Sequence, residues 1–224
     1  MVLLLHEGPK ISIAALPGPA VLTGLPRLLG GGLTIVSAIP YVFLSAGPVP
    51  LLQRLPLRVT STLNGQCWMV SRAVYERYRP HEAVKDAVVE DLAIGRDFAG
   101  HGVLVRMDDL QEDLAVWMYG SFREAWHGLR KNTYPAAGGT PLIAAPFLAL
   151  WIVAYFVAPV LHPWFLASIY AAKALSDRAA RMPLRVTLLA PVTAALLAAI
   201  LVDSAVAHWA GTARWKGRVV AGRR

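Results

Sequence analysis

The sequence of 224 residues predicts an α/β layer followed by C-terminal transmembrane α-helices, and three observations carry that prediction. Short apolar runs alternate with amphipathic segments as far as residue 139, the pattern of strands layered on helices. Two long apolar stretches then follow, each of a length suited to crossing hydrocarbon. Basic residues gather at the ends of those stretches, as in loops that obey the positive-inside rule. Composition agrees: 56% of residues are hydrophobic and 16% charged, where soluble chains carry about 25% charge. So apolar a chain cannot stay solvated and disordered. Cys67 is the single cysteine, which excludes a disulfide framework.

The net charge of +8 would also suit a nucleic-acid binder. Its distribution speaks against one. Residues 1–139 hold 13 Lys/Arg against 12 Asp/Glu, whereas residues 140–224 hold 9 against 2. Nucleic-acid binders lay basic residues along an exposed face, not at the ends of apolar segments. The expected partner is a membrane, with no nucleic acid.

Taken in order, Val2–Leu5 reads as the end of a buried strand running into the loop His6-Glu7-Gly8-Pro9. It is too short for a signal peptide's apolar core of about 7–15 residues. Thr34–Pro40, Cys67–Val70 and Val103–Met107 read as further strands, and Ser71–Arg77, Glu90–Ala99 and Ser121–Lys131 as helices. The breaker cluster Pro135–Pro141 closes a first domain, 1–139. Membrane helices then occupy 140–210. Leu142–Leu161 is twenty residues without a charge, enough for about 30 Å of hydrocarbon, and membrane helices tolerate prolines such as Pro146 and Pro159. Val186–Ala207 is a second full-length span, with Asp203 near its end. Pro163–Leu175 is a shorter third candidate, either a short span, with Lys173 snorkelling outward, or a re-entrant or interfacial piece. Arg178, Arg181 and Arg185 follow it, and the tail 211–224 is basic as well. Both groups favour the cytoplasmic side, yet one span separates them. Either the middle segment does not cross or the last one turns back.

Three places can carry chemistry. Glu90-Asp91 opens a helix, where the dipole favours a carboxylate by about 0.3–1 kcal/mol; acidic residues in a first turn are also ordinary capping chemistry. Asn64-Gly65-Gln66 combines a glycine that lets a backbone approach closely with two amides that both donate and accept; Asn-Gly is equally a turn signal. Ser121-Phe122-Arg123-Glu124 is a capping box. The helix behind it sets Phe122, Ala125, Trp126 and Leu129 on one side, and Arg123, His127 and Arg130 on the other. That basic face suits phosphates, lipid headgroups or plain solvent. His81, His101, His162 and His208 show no metal-ligand spacing.

Together these pieces resemble a known pattern. Asn64-Gly65-Gln66, Arg72 and Tyr75, Val89-Glu90-Asp91-Leu92-Ala93 and Gly100-x-Gly102 look like the acceptor half of a family 2 glycosyltransferase. Trp117-Met118-Tyr119, Trp126-x-Gly128, Lys131-Asn132 and the closing Arg214-Trp215-Lys216-Gly217-Arg218 are similar to its membrane-bound branch. Members of that branch glycosylate lipids and isoprenoids, including carotenoid-acid and hopanoid-associated types. The resemblance implies an incomplete GT-A-like domain that is N-terminally truncated, because the family's nucleotide-binding half precedes the matched part.

It further implies an inverting transfer from a nucleotide-sugar to a lipid or isoprenoid acceptor. Asp91 would be the base beside Glu90, Asn64 and Gln66 would bind substrate, and Arg123 and Arg130 would neutralise the leaving diphosphate. The family's divalent cation, Mg²⁺ or Mn²⁺, sits on an Asp-x-Asp after an apolar strand; His6 and Glu7 stand at that place here. The motif of processive members is absent, which disfavours a polysaccharide synthase. The expected location is the cell membrane, multi-pass, with the catalytic part cytoplasmic. The alternative is a catalytically inactive, glycosyltransferase-like protein for binding or assembly.

Overall fold

The computed structural model describes residues 2–5, 20–40, 61, 63–85, 87, 89–215 and 218–219. The chain divides into two compact units, one of residues 1–29 and 46–118, the other of 30–45 and 119–224. The content is mixed α/β, with small sheets in the first unit and long helices in the second.

Two three-stranded sheets are present among the described residues. In one, β1 (Val2–Leu5) pairs antiparallel with β6 (Leu114–Tyr119), Val2 opposite Trp117, and β3 (Arg27–Gly30) lies on the other side of β6. In the other, β2 (Ala20–Leu25) is the centre. It pairs antiparallel with β4 (Trp68–Val70) and parallel with β5 (Leu104–Asp109). A central strand shows apolar residues on both faces, and Ala20, Val21, Leu22 and Thr23 are all buried. The core beside this sheet is built from Val21, Leu63, Ile94, Phe98, Val103 and Val105, with Trp68 and Tyr78 edge-on to Phe98. Two helices supply its cover. They are α2 (Arg72–Tyr78), which Ser71 caps through the Val74 amide, and α4 (Glu90–Gly100), which buries Ile94, Phe98 and Ala99. A single turn, α3 (Pro80–Ala83), lies between them.

One expected strand is corrected. Thr34–Pro40 does not form one: Leu33–Val36 is a short helix, α1. The reason is upstream. Gly32 takes a left-handed φ of 69° as its N-cap, and a Cβ on Gly31 would run into the Gly120 backbone. The chain therefore turns away from the sheet before the β-branched run begins.

In the second unit α5 spans Phe122–Ala136, a turn or more beyond the expected end at Lys131. Ser121 accepts from the Glu124 amide, and Glu124 reaches back to the Gly120 amide at 2.7 Å, which completes the capping box. The buried stripe of α5 is Ala125, Gly128 and Tyr134, while Phe122, on the same apolar side by sequence, is 46% exposed. Next come α6 (Pro141–Ile152), a single π turn (Val153–Val157) and α7 (Ala158–Leu161), which together make one apolar helical stretch. After α8 (Trp164–Ala179) and α9 (Leu184–Leu188) the chain ends its helical part in α10 (Ala190–Trp209). Two of these, Pro141–Leu161 and Ala190–Trp209, are long and apolar enough to cross a membrane. The first is 11% buried within the protein and the second 44%. Leu142, Leu150 and Val160 stand almost free.

Lys173 corrects a second expectation. It does not snorkel outward but is fully buried, paired with Asp177 one turn on and donating to Ser37 Oγ at 3.2 Å. Asp177 also accepts from Thr187 Oγ1 at 2.7 Å. A charge that cannot reach water needs an opposite charge and filled hydrogen bonds. Asp177 is available because α8 runs on to Ala179, beyond the expected end of this segment at Leu175.

Candidate functional site

The first unit holds the loop 64–67 and the start of α4, and their local chemistry explains their geometry. Asn64 folds its side chain back, Oδ1 accepting from the Gln66 amide at 3.1 Å, which fixes a tight turn. The same residue is tied to β2 on two sides. Its amide donates to Thr23 Oγ1 at 2.8 Å and its Nδ2 to the Gly24 carbonyl at 2.9 Å. Thr23 in turn donates to the Cys67 carbonyl at 2.9 Å. One buried threonine therefore holds both ends of the loop.

The loop is thereby presented to α4. The Gly65 amide donates to Asp91 Oδ2 at 3.1 Å, and Asp91 Oδ1 accepts from the Leu92 amide at 2.9 Å. A Cβ on Gly65 would lie 2.8 Å from Asp91 Oδ2, so only glycine allows this approach without displacing the carboxylate. Gln66 donates from Nε2 to Met118 Sδ at 3.0 Å, and its Oε1 is buried with no hydrogen-bond partner among the described residues. A carboxylate accepts about four hydrogen bonds, so Asp91, half-buried, keeps capacity on both oxygens for a donor from outside. Glu90 is exposed. Burial pushes the Cys67 thiol above its ordinary range.

Comparison with other proteins adds no relative. No family model, curated protein or solved structure matches the chain. The residues themselves must carry the argument.

Arg123 and Arg130 belong to the second unit. Arg123 is exposed on the first turn of α5. Arg130 does not point freely outward: its Nε lies 3.0 Å from Asp203 Oδ2, which also accepts from Trp126 Nε1 at 2.8 Å. The expected division of α5 into an aromatic and a basic side therefore fails at Trp126 and Arg130, which meet at one carboxylate. Tyr119 precedes this helix, and burial together with Glu124 pushes its hydroxyl pKa up.

No group of three or more His, Cys, Asp or Glu that could hold a metal occurs among the described residues. His6 and Glu7 lie outside the described residues. The scattered histidines have local partners: His81 meets the Tyr75 hydroxyl at 2.9 Å, His101 the Asp97 carbonyl, and His208 the Ser204 carbonyl. Of the residues that the sequence singles out, the structure brings Gly65 and Asp91 together. Thr23, Gly24 and Met118, which support the loop, carry no such signal, because nothing in the local pattern near residue 23 points to a partner some 41 positions later.

Proposed function

We propose that the protein is a membrane-associated, inverting glycosyltransferase of GT-A type. It would transfer a sugar from a nucleotide-sugar to a hydroxyl or carboxyl of a lipid or isoprenoid acceptor. One observation supports the reading above the others: two segments singled out separately, Asn64-Gly65-Gln66 and Asp91, meet at 3.1 Å through the Gly65 amide. Asp91 takes the proton of the acceptor hydroxyl as that oxygen attacks the anomeric carbon. The bond from that carbon to the diphosphate oxygen breaks, and the electron pair leaves with the nucleotide. The Gly65 amide holds the carboxylate in place, and Gln66 Oε1, without a partner among the described residues, accepts from a sugar hydroxyl, while Asn64, bonded at both ends of its side-chain amide, shapes the loop.

The two apolar helices support an attachment to the cell membrane, where a lipid acceptor would be found. A specific observation favours the second reading, a binding or assembly module. Both oxygens of Asp91 already accept backbone amides, as a purely structural carboxylate would.

The deciding experiment uses the full chain in detergent with labelled nucleotide-sugars, Mg²⁺ or Mn²⁺ and a polyprenol or diacylglycerol acceptor. Transfer by the wild type that Asp91→Asn reduces at least about 10²-fold, as expected for removal of a general base, supports the enzyme. Undiminished transfer by Asp91→Asn removes the base assignment. A wild type that neither binds nor transfers leaves the binding module as the reading.

A further inference from the structure

We infer that the second unit enters and leaves the membrane from one side: α6–α7 and α10 cross as an antiparallel pair, while α8 and α9 turn back at the far face without crossing. The inference rests on the membrane reading above and settles an alternative that the charges leave open.

The helix register carries it. Ala144, near the start of α6, packs in one cluster with Leu201 and Ala205, near the end of α10. Seven residues on, Trp151 packs with Ala194, near the start of α10, and donates from Nε1 to the Ala194 carbonyl at 3.0 Å. Tyr155 stacks on Trp151 and joins the same cluster. Residues that rise along α6 thus meet residues that fall along α10, so the two helices run in opposite directions. The Pro141 end and the Trp209 end lie together, and so do the Leu161 end and the Ala190 end. Whatever joins 161 to 190 must begin and finish at the same face.

The connection is built for that. Helix α8 carries three charges, Lys173, Asp177 and Arg178, and two of them, which a crossing segment could not hold singly at the bilayer centre, neutralise each other as Lys173–Asp177. Thr187 ties α9 back onto α8 through Asp177. The pair also sits at the Ala190 end of α10: Lys173 donates to Ser37 Oγ, Ser37 donates to the Thr34 carbonyl, and Thr193 donates to that same carbonyl at 3.1 Å.

Sidedness follows from the flanking charges. Arg123, Arg130, Lys131, Arg214, Lys216, Arg218, Arg223 and Arg224 flank the Pro141 and Trp209 ends, eight in all, of which Arg130 is paired with Asp203. Four flank the other ends, Lys173, Arg178, Arg181 and Arg185, and one of these is cancelled by Asp177. The positive-inside rule therefore puts the Pro141 and Trp209 ends in the cytoplasm.

The test uses single cysteines in full-length protein carrying Cys67→Ser, labelled with a membrane-impermeant maleimide in right-side-out and inverted vesicles. Thr140→Cys and Ala210→Cys are expected to label in inverted vesicles only. His162→Cys and Leu184→Cys are expected to label in right-side-out vesicles only. Labelling of residues 140 and 210 from opposite sides, or of 162 and 184 from opposite sides, overturns the antiparallel crossing while leaving the membrane reading intact. If alkaline carbonate strips the wild type from vesicles, and all four positions label in both orientations, the membrane reading itself falls and the topology with it.

Discussion

At Gly65 a methyl group would stand 2.8 Å from Asp91 Oδ2, and that single distance defines how far the loop and the carboxylate depend on each other. Gly65→Ala is expected to push Asp91 aside while the fold survives, because the obstructed atom is the end of a side chain. A misplacement of about 1 Å costs on the order of 10²-fold in rate; transfer assays beside a thermal melt check that activity falls and the midpoint hardly moves. Cys67 offers a second test. Burial pushes its thiol up, so the pH profile of maleimide labelling is expected to rise above the value of about 8.5 typical of free cysteine. The sign for stability is the same: the unfolded thiol ionises first, so native stability falls as pH climbs past that value. Asp91 was legible because a carboxylate at a helix start stands out in one dimension. Thr23 was not, because its role exists only once β2 lies beside residues 64–67.

Local signals read best where the cause is local. Helix α5 announces itself through Ser121 and Glu124, and the cap forms as expected. Ser121→Ala is expected to cost about 1 kcal/mol, measurable as a shift of the denaturation midpoint in detergent. Gly128→Ala should cost more, about 1–3 kcal/mol, since a Cβ there would collide with the Tyr119 ring. Helices α2 and α4 and strands β4 and β5 also fall close to their expected positions. Strands β2 and β6 went unread for different reasons. Pro17, Pro19 and Pro26 crowd β2, so its six residues look like loop, and only pairing with β5, more than eighty residues away, makes it a centre strand. In β6 the run Leu114–Tyr119 is apolar on both faces, which hides the alternation that marks a strand.

Across the whole chain, the surplus basic charge lies beside the apolar helices with one exception, Lys173. The +7 surplus of residues 140–224 does flank the apolar helices, yet Lys173 is not part of the exposed share. Removing one partner of a buried pair costs about 3–5 kcal/mol, while replacing both with apolar residues is often neutral. Lys173→Met should therefore lower the yield of folded protein sharply. Lys173→Met with Asp177→Leu should recover most of it, as judged by monodispersity in detergent and by thermal unfolding. If the double variant is as unstable as the single, the pair has a role that apolar packing cannot replace.

The π turn at Val153–Val157 has a consequence for how the longest apolar helix tolerates change in length. Such a turn amounts to one extra residue let into an α-helix, and here it separates Trp151, anchored on Ala194, from Ala158–Leu161 beyond it. Each residue in a helix turns the chain by about 100°, at 3.6 residues per turn. A one-residue deletion elsewhere in Pro141–Leu161 would swing everything after it onto the wrong face. Within Val153–Val157 the same deletion can be absorbed by the turn reverting to ordinary α geometry. The helix thus carries its own slack, and a scan of single-residue deletions along it should show one tolerant window centred on Tyr155.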